Sequence, residues 1–130
     1  MILVFSDAAL NARFVGGLQA LLDVGPVGCR IQLFAASTPS GPVLAELVLA
    51  RPSGAMVGLQ YVLQQADPEG DLILREGTPQ SGRMINGAGV RVCDGDVSGI
   101  DGDGVFRVEG DDGPLLHAGG RARLLASYFF

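Results

Sequence analysis

The chain has 130 residues, of which 48% are hydrophobic, so it is long and apolar enough to form one domain around a core and is not disordered. Its formal net charge is −5, and its nine basic residues are all arginines dispersed along the chain. This balance argues against a partner recognised through its phosphates, and we expect no nucleic-acid partner. Twenty glycines and seven prolines lie between short apolar runs, which is typical of the turns of a β-rich protein.

Residues 1–25 form the segment with a helical pattern. Ser6 and Asp7 are suitable N-cap residues, and Gly25-Pro26 is a suitable end. An apolar face at helical spacing lies between them, formed by Leu10, Phe14, Leu18 and Leu21. The start of the chain lacks a basic region, and polar residues interrupt it, so we expect neither a secretory signal nor a membrane span. We expect the apolar face to cover one side or edge of a sheet.

From residue 28 onward, apolar residues recur at the period of a β-strand. The predicted strands are Cys29–Phe34, Val43–Leu49, Leu59–Gln64, Leu72–Arg75, Arg83–Ile85, Val90–Val97, Val105–Val108 and Arg121–Phe130. The pattern breaks at Arg51 to Gly54, and Asn86 to Gly89 is predicted to be a hairpin turn. We therefore expect one mainly-β domain over residues 1–130: a helical segment at 1–25, followed at 28–130 by an antiparallel β-sandwich or a jelly-roll-like arrangement.

An acidic, glycine-rich corner lies between two of the predicted strands. Its four aspartates are spaced two apart in each of two pairs, as in calcium-binding loops: Asp94, Asp96, Asp101 and Asp103. The spacing does not match an EF-hand loop, because the position of the bidentate acid falls on Gly110. Asp-Gly is also a common tight-turn dipeptide, so a turn without metal is the favoured interpretation and calcium the minor one.

Other patterns that carry chemistry are weak in this sequence. His117 is the only histidine, and no serine lies in a G-x-S-x-G motif, so we expect a structural or solvent-facing histidine and no catalytic residues. Gly87-Ala88-Gly89 falls within a hairpin, where it lacks the helix N-terminus that a phosphate site needs. Cys29 and Cys93 lie in apolar runs, which is typical of buried thiols, although a single disulfide is not excluded. We expect no cofactor.

Three aromatic residues end the chain. Tyr128, Phe129 and Phe130 are predicted to complete a strand of the core. An aromatic terminus is also suited to docking on a neighbouring subunit, because aromatic side chains contribute a large contact area.

The order of these elements resembles that of a known group of proteins. It comprises an amphipathic helix, Cys29–Phe34 with a Ser/Thr-Pro turn, Val43–Leu49, Gly87–Val92, Asp94–Ser98 and a final Gly-Gly-Arg strand. As a pattern covering most of the chain, it resembles small bacteriophage and prophage proteins encoded among virion structural genes, often near tail genes. The resemblance implies a non-enzymatic role in a particle and supplies no catalytic residues.

From this resemblance we expect a structural component of a phage particle, in the tail, baseplate or fibre-attachment region. Its partners would be other virion proteins and copies of itself, and it would be made in the host cytoplasm and reside in the virion. Two alternatives stay open. One is a receptor- or carbohydrate-binding module, with calcium at the Asp94–Asp103 corner, and the other is a capsid-decorating protein.

Overall fold

The structure, a computed structural model, describes residues 6–7 and 15–129. A π-helical turn (Val15–Gln19) leads into a short helix α1 (Ala20–Leu22). The strands that follow are β1 (Arg30–Phe34), β2 (Val43–Val57), β3 (Gln60–Gln65), β4 (Asp71–Leu72), β5 (Ser81–Ile85), β6 (Arg91–Ser98), β7 (Phe106–Glu109), β8 (Arg121–Leu124) and β9 (Tyr128–Phe129). The mainly-β class predicted from the sequence is confirmed.

These strands form a single curled sheet in the order β4-β8-β7-β6-β5-β1-β2-β3-β9. Curling brings the β4 end of the sheet back against β2, where Ala45 and Ile73 form a bridge. The backbone N–H of Leu74 donates to the carbonyl of Leu44 at 2.7 Å, which reinforces this contact. The sequence predicted a sandwich or jelly-roll-like arrangement. In the structure, one sheet encloses the core by bending on itself.

The sheet is mixed because β6 and β7 run parallel, with Val97 paired to Phe106 and Ser98 to Arg107. The other strand pairs of the described chain are antiparallel. This parallel pair corrects the antiparallel arrangement predicted from the sequence. The acidic corner does not reverse the chain as a hairpin would. It loops out and returns, so that β7 begins beside the end of β6 and continues in the same direction.

Strand β2 is longer than its sequence pattern predicted. The pattern break predicted at Arg51 to Gly54 does not end the strand, because β2 runs through these residues. Its pairing with β3 is interrupted there: Leu49 pairs with Gln65, and the next pair is Gly54 with Leu63. The end of the helical segment holds this stretch: the Arg51 guanidinium donates to the Asp23 carbonyl at 2.9 Å, and the Ser53 N–H donates to the Asp23 carboxylate at 3.0 Å. These are long-range contacts, which a local pattern does not report.

The predicted C-terminal strand Arg121–Phe130 is divided in the structure. Strands β8 and β9 are separate because residues 125–127 carry the chain from β7 across to β3. Ser127 occupies the crossing: its hydroxyl accepts a hydrogen bond from the Arg107 N–H at 2.9 Å, and its carbonyl accepts one from the Leu63 N–H at 2.9 Å. Phe130 lies outside the described residues.

The helical segment contacts the core through a different set of leucines from the one predicted. Leu22 is fully buried and Leu18 packs against the core, whereas Leu21 is 41% exposed. The π-helical turn adds a residue to the winding, so the buried face passes from Leu18 to Leu22. Leu10 and Phe14 lie outside the described residues. Within the part of the chain that is described, no helix has the length and hydropathy to cross a membrane.

The enclosed core combines aliphatic side chains with two large rings. The ring of Phe106 rests on the paired glycines Gly82 and Gly95, and a Cβ atom added at Gly82 would lie 3.0 Å from it. Tyr61 is fully buried, and its hydroxyl shares a 2.7 Å hydrogen bond with the hydroxyl of Ser53. Glycine in these strands therefore makes space for an aromatic side chain.

Candidate functional site

The acidic corner is built around Ser98. The Ser98 hydroxyl donates to the Gly99 carbonyl at 3.0 Å and accepts a hydrogen bond from the Gly104 N–H at 2.9 Å. A Cβ atom at Gly102 would lie 2.5 Å from the Cβ of Ser98, and one at Gly104 would lie 2.6 Å from the Ser98 nitrogen. Gly102 and Gly104 are therefore required by the turn itself.

The four aspartates of the corner do not converge. Asp94 binds the Arg83 guanidinium at 2.9 Å and lies 3.7 Å from Arg91. The hydrogen bond from Arg83 is the main reason that the pKa of Asp94 is lowered. Among the described residues, no group of three or more His, Cys, Asp or Glu side chains is arranged to hold a metal ion. Asp94 thus contacts two arginines, and the carboxylates of Asp96, Asp101 and Asp103 do not form a metal-binding group with it.

His117 joins two loops at another part of the surface. Its Nδ1 lies 2.8 Å from the Glu76 carboxylate and its Nε2 3.2 Å from the Asp112 carboxylate. Two backbone hydrogen bonds between Gly77 and Leu116, of 3.0 and 2.9 Å, place the loops side by side. Sequence analysis did not find this group, because Glu76 is 41 positions away from His117.

The His117 ring is expected to make stability depend on pH. The hydrogen bond with Glu76, followed by that with Asp112, raises the pKa of His117 above its ordinary value. The added stability is therefore fully present below the unfolded-state pKa of about 6.5 and is lost as the pH rises through the raised pKa. An NMR titration of the ring measures that pKa directly, since the chain contains one histidine. In a His117→Gln variant, the loss of thermal stability that accompanies deprotonation of the ring should disappear. An unchanged dependence of the unfolding temperature on pH would contradict a stabilising role for His117.

A groove lined by apolar side chains lies between β6 and β9. It has a volume of about 410 Å³ and is lined by Leu18, Val92, Cys93, Val105, Tyr128 and Phe129. Two of these residues are well exposed: Val105 at 43% and Tyr128 at 42%. A surface groove of this composition is the kind of feature that marks a contact with another molecule.

A β-bulge shapes the wall of the groove that β6 provides. Cys93 pairs with Met84 and Arg91 pairs with Ile85, so Val92 is the extra residue in β6. A bulge changes the direction in which neighbouring side chains point. It explains how Val92 and Cys93, which would alternate between opposite faces of a regular strand, both line the groove.

On both sides of the groove, the described residues leave part of a strand edge without a neighbouring strand. β6 pairs with β5 along one side, but along the other it pairs with β7 only at Val97 and Ser98. β9 pairs with β3. Within the described residues, no strand lies along the other side of β6 from Arg91 to Asp96 or along the second side of β9.

The groove contains one of two free thiols. Cys93 is half-buried, and burial, assisted by the neighbouring Asp94, raises its pKa. Cys29 is fully buried, and burial raises its pKa to about 12. Cys93 is therefore the thiol within reach of a reagent that enters the groove.

The sequence identified only part of this groove. The docking role suggested for the aromatic terminus involves Tyr128 and Phe129, which the structure places in its wall. Leu18 and Val105 also line the groove, but the sequence did not identify them because their position there depends on how the sheet curls. Comparison of the chain with family models, curated proteins and solved structures found no match.

Proposed function

We propose that this chain is a non-enzymatic structural component of a bacteriophage particle, in its tail, baseplate or fibre-attachment region. The observation that supports this proposal best is the apolar groove between β6 and β9, next to strand edges that the other described strands do not cover. Removal of apolar surface from water contributes about 25 cal/mol per Å² to association, before the entropic costs of binding are subtracted. A groove of this kind is thus suited to contact with a neighbouring subunit.

Further apolar side chains are exposed away from the groove. Val57 and Leu59 lie at the turn between β2 and β3, and Ile100 lies in the acidic corner. A subunit of a symmetric assembly meets neighbours on several sides, and repetition makes each small contact effective. Exposed apolar residues at separate places are compatible with such a role.

Fractionation of phage particles tests the proposal. We expect the chain to sediment with intact particles through a density gradient and to remain with them after a wash at high salt. A host protein of similar size that is absent from particles serves as the control. Recovery of the chain only in the soluble host fraction would contradict the proposal.

The position in the particle can be tested in the same preparation. Gold-labelled antibody against the chain should mark the tail or baseplate in electron micrographs. Label distributed over the head would instead favour the capsid-decorating alternative.

A further inference from the structure

We propose that the groove between β6 and β9 binds one extended β-strand from a different protein, which adds to the edge of β6 along which the described residues place no strand. The inference rests on the proposed function only in treating the groove as a contact surface. It specifies the occupant: a single strand with apolar residues at alternate positions, a basic residue at its start and an acidic residue at its end.

The backbone favours a strand as the occupant. The edge of β6 from Arg91 to Asp96 presents N–H and C=O groups for which the described residues provide no partner strand. Neighbouring strands lie about 4.8 Å apart, whereas a helix with its side chains is about 10 Å across. A groove of about 410 Å³ is a small volume for a helix, which also cannot offer its backbone to a strand edge.

The side chains of β6 determine which residues of the incoming strand face the groove. Cys93 and Gly95 point to the side of β6 that faces the groove: Cys93 lines it, and a Cβ at Gly95 would lie 3.1 Å from Val105, which also lines it. Apolar residues of the incoming strand that lie opposite these two positions would contact Val105 and Phe129 in the groove.

The antiparallel direction and the charges on β6 together determine the first and last residues of the strand. Arg91 begins β6 with an exposed guanidinium, and Asp96 is exposed near its end. Antiparallel pairing is slightly more stable than parallel pairing. An antiparallel strand complements both charges when its first residue is basic, opposite Asp96, and its last is acidic, opposite Arg91.

The probe is the acetylated and amidated peptide Arg-Val-Thr-Val-Thr-Glu, which matches β6 from Asp96 back to Arg91. We expect it to bind the purified full chain, measured by fluorescence polarisation of a labelled form, and to slow the reaction of Cys93 with a thiol reagent. Cys29 is the internal control, because its burial should keep it unreactive with and without peptide.

Two altered peptides separate strand addition from simple apolar contact. N-methylation of the backbone nitrogens that face β6 removes hydrogen-bond donors and should weaken binding at least about tenfold. Exchanging the terminal charges, Glu first and Arg last, should weaken binding about fivefold, since each exposed ion pair contributes modestly. Equal binding of the N-methylated peptide would overturn the proposal.

A matched pair of variants locates the binding surface. Val92→Asp places a charge in the groove and should abolish protection of Cys93 by the peptide, whereas Val90→Asp, at an exposed residue outside the groove, should leave it intact. If Val92→Asp fails to fold, binding of the peptide series to the unmodified chain still tests the inference. Absence of peptide binding would overturn the inference, as would a dimer of this chain that Val92→Asp dissociates. Either result leaves the test of particle association unaffected.

Discussion

Replacing Gly87 with alanine is expected to lower the free energy of unfolding by about 3 kcal/mol or more. A Cβ atom at this position would lie 1.8 Å from the carbonyl oxygen of Val27 and 3.0 Å from that of Val24. Both obstacles are backbone atoms, which cannot rotate away as the end of a flexible side chain can. The hairpin turn after β5 would therefore separate from the segment that follows α1.

Chemical denaturation followed by circular dichroism measures this loss, and other glycines of the chain serve as controls. Gly41 has a φ of 80° but open space around it, so Gly41→Ala should cost only about 1 kcal/mol from backbone strain. Gly17 has open space and lies in the helical segment, so Gly17→Ala should be neutral or slightly stabilising. Equal losses in Gly87→Ala and Gly41→Ala would contradict the steric explanation.

Replacing Asn86 with alanine should lower the free energy of unfolding by about 2–4 kcal/mol, because it leaves buried polar groups without partners. The Asn86 side chain is fully buried. Its amide donates to the Leu21 carbonyl at 3.0 Å, and its Oδ1 accepts hydrogen bonds from the N–H groups of Ala88 and Val90, each at 3.0 Å. One side chain thus shapes the turn and attaches it to the end of α1.

An Asn86→Asp variant separates the two functions of this side chain. Its carboxylate still accepts from Ala88 and Val90 but faces the Leu21 carbonyl, which disfavours the charged form and raises the pKa of the new carboxyl. Its stability should be closest to that of the unmodified chain below the ordinary aspartate pKa of about 3.9 and should fall as the pH rises. Similar losses in both variants at every pH would contradict a donor role for Asn86.

Both predictions concern the same junction, and this junction bears on the groove. Gly87 and Asn86 hold the turn after β5 against residues 21–27, the continuation of the segment that carries Leu18 into the groove wall. Loss of the junction should therefore reduce peptide protection of Cys93 as well as stability.

Much of the strand content follows from local pattern. β1, β3, β5, β6 and β7 lie within two residues of their predicted bounds, because alternating apolar residues between turn residues are a local property of strands. Asn86 to Gly89 was also predicted as a turn, and the structure confirms it. Leu21 was misassigned because the π-helical turn changes the helical phase.

The candidate sites depend on residues that are distant in sequence. The spacing of Asp94, Asp96, Asp101 and Asp103 left calcium as a minor interpretation beside a turn without metal, since spacing along a chain does not specify which carboxylates turn toward each other. Asp94 instead meets Arg83 on the neighbouring strand. The group formed by Glu76, Asp112 and His117 had no local signal at all.

The sequence by itself determined the mainly-β class, most strand positions and the turn chemistry, since these depend on the periodicity and backbone preferences of neighbouring residues. Only the tertiary structure decided that the sheet curls, that β6 and β7 run parallel, and that β9 lies across a groove from β6. The physical reason is that strand order and the meeting of edges depend on long-range backbone pairing. Alternation of side chains along a strand specifies which face is buried, but not which strand lies next to it.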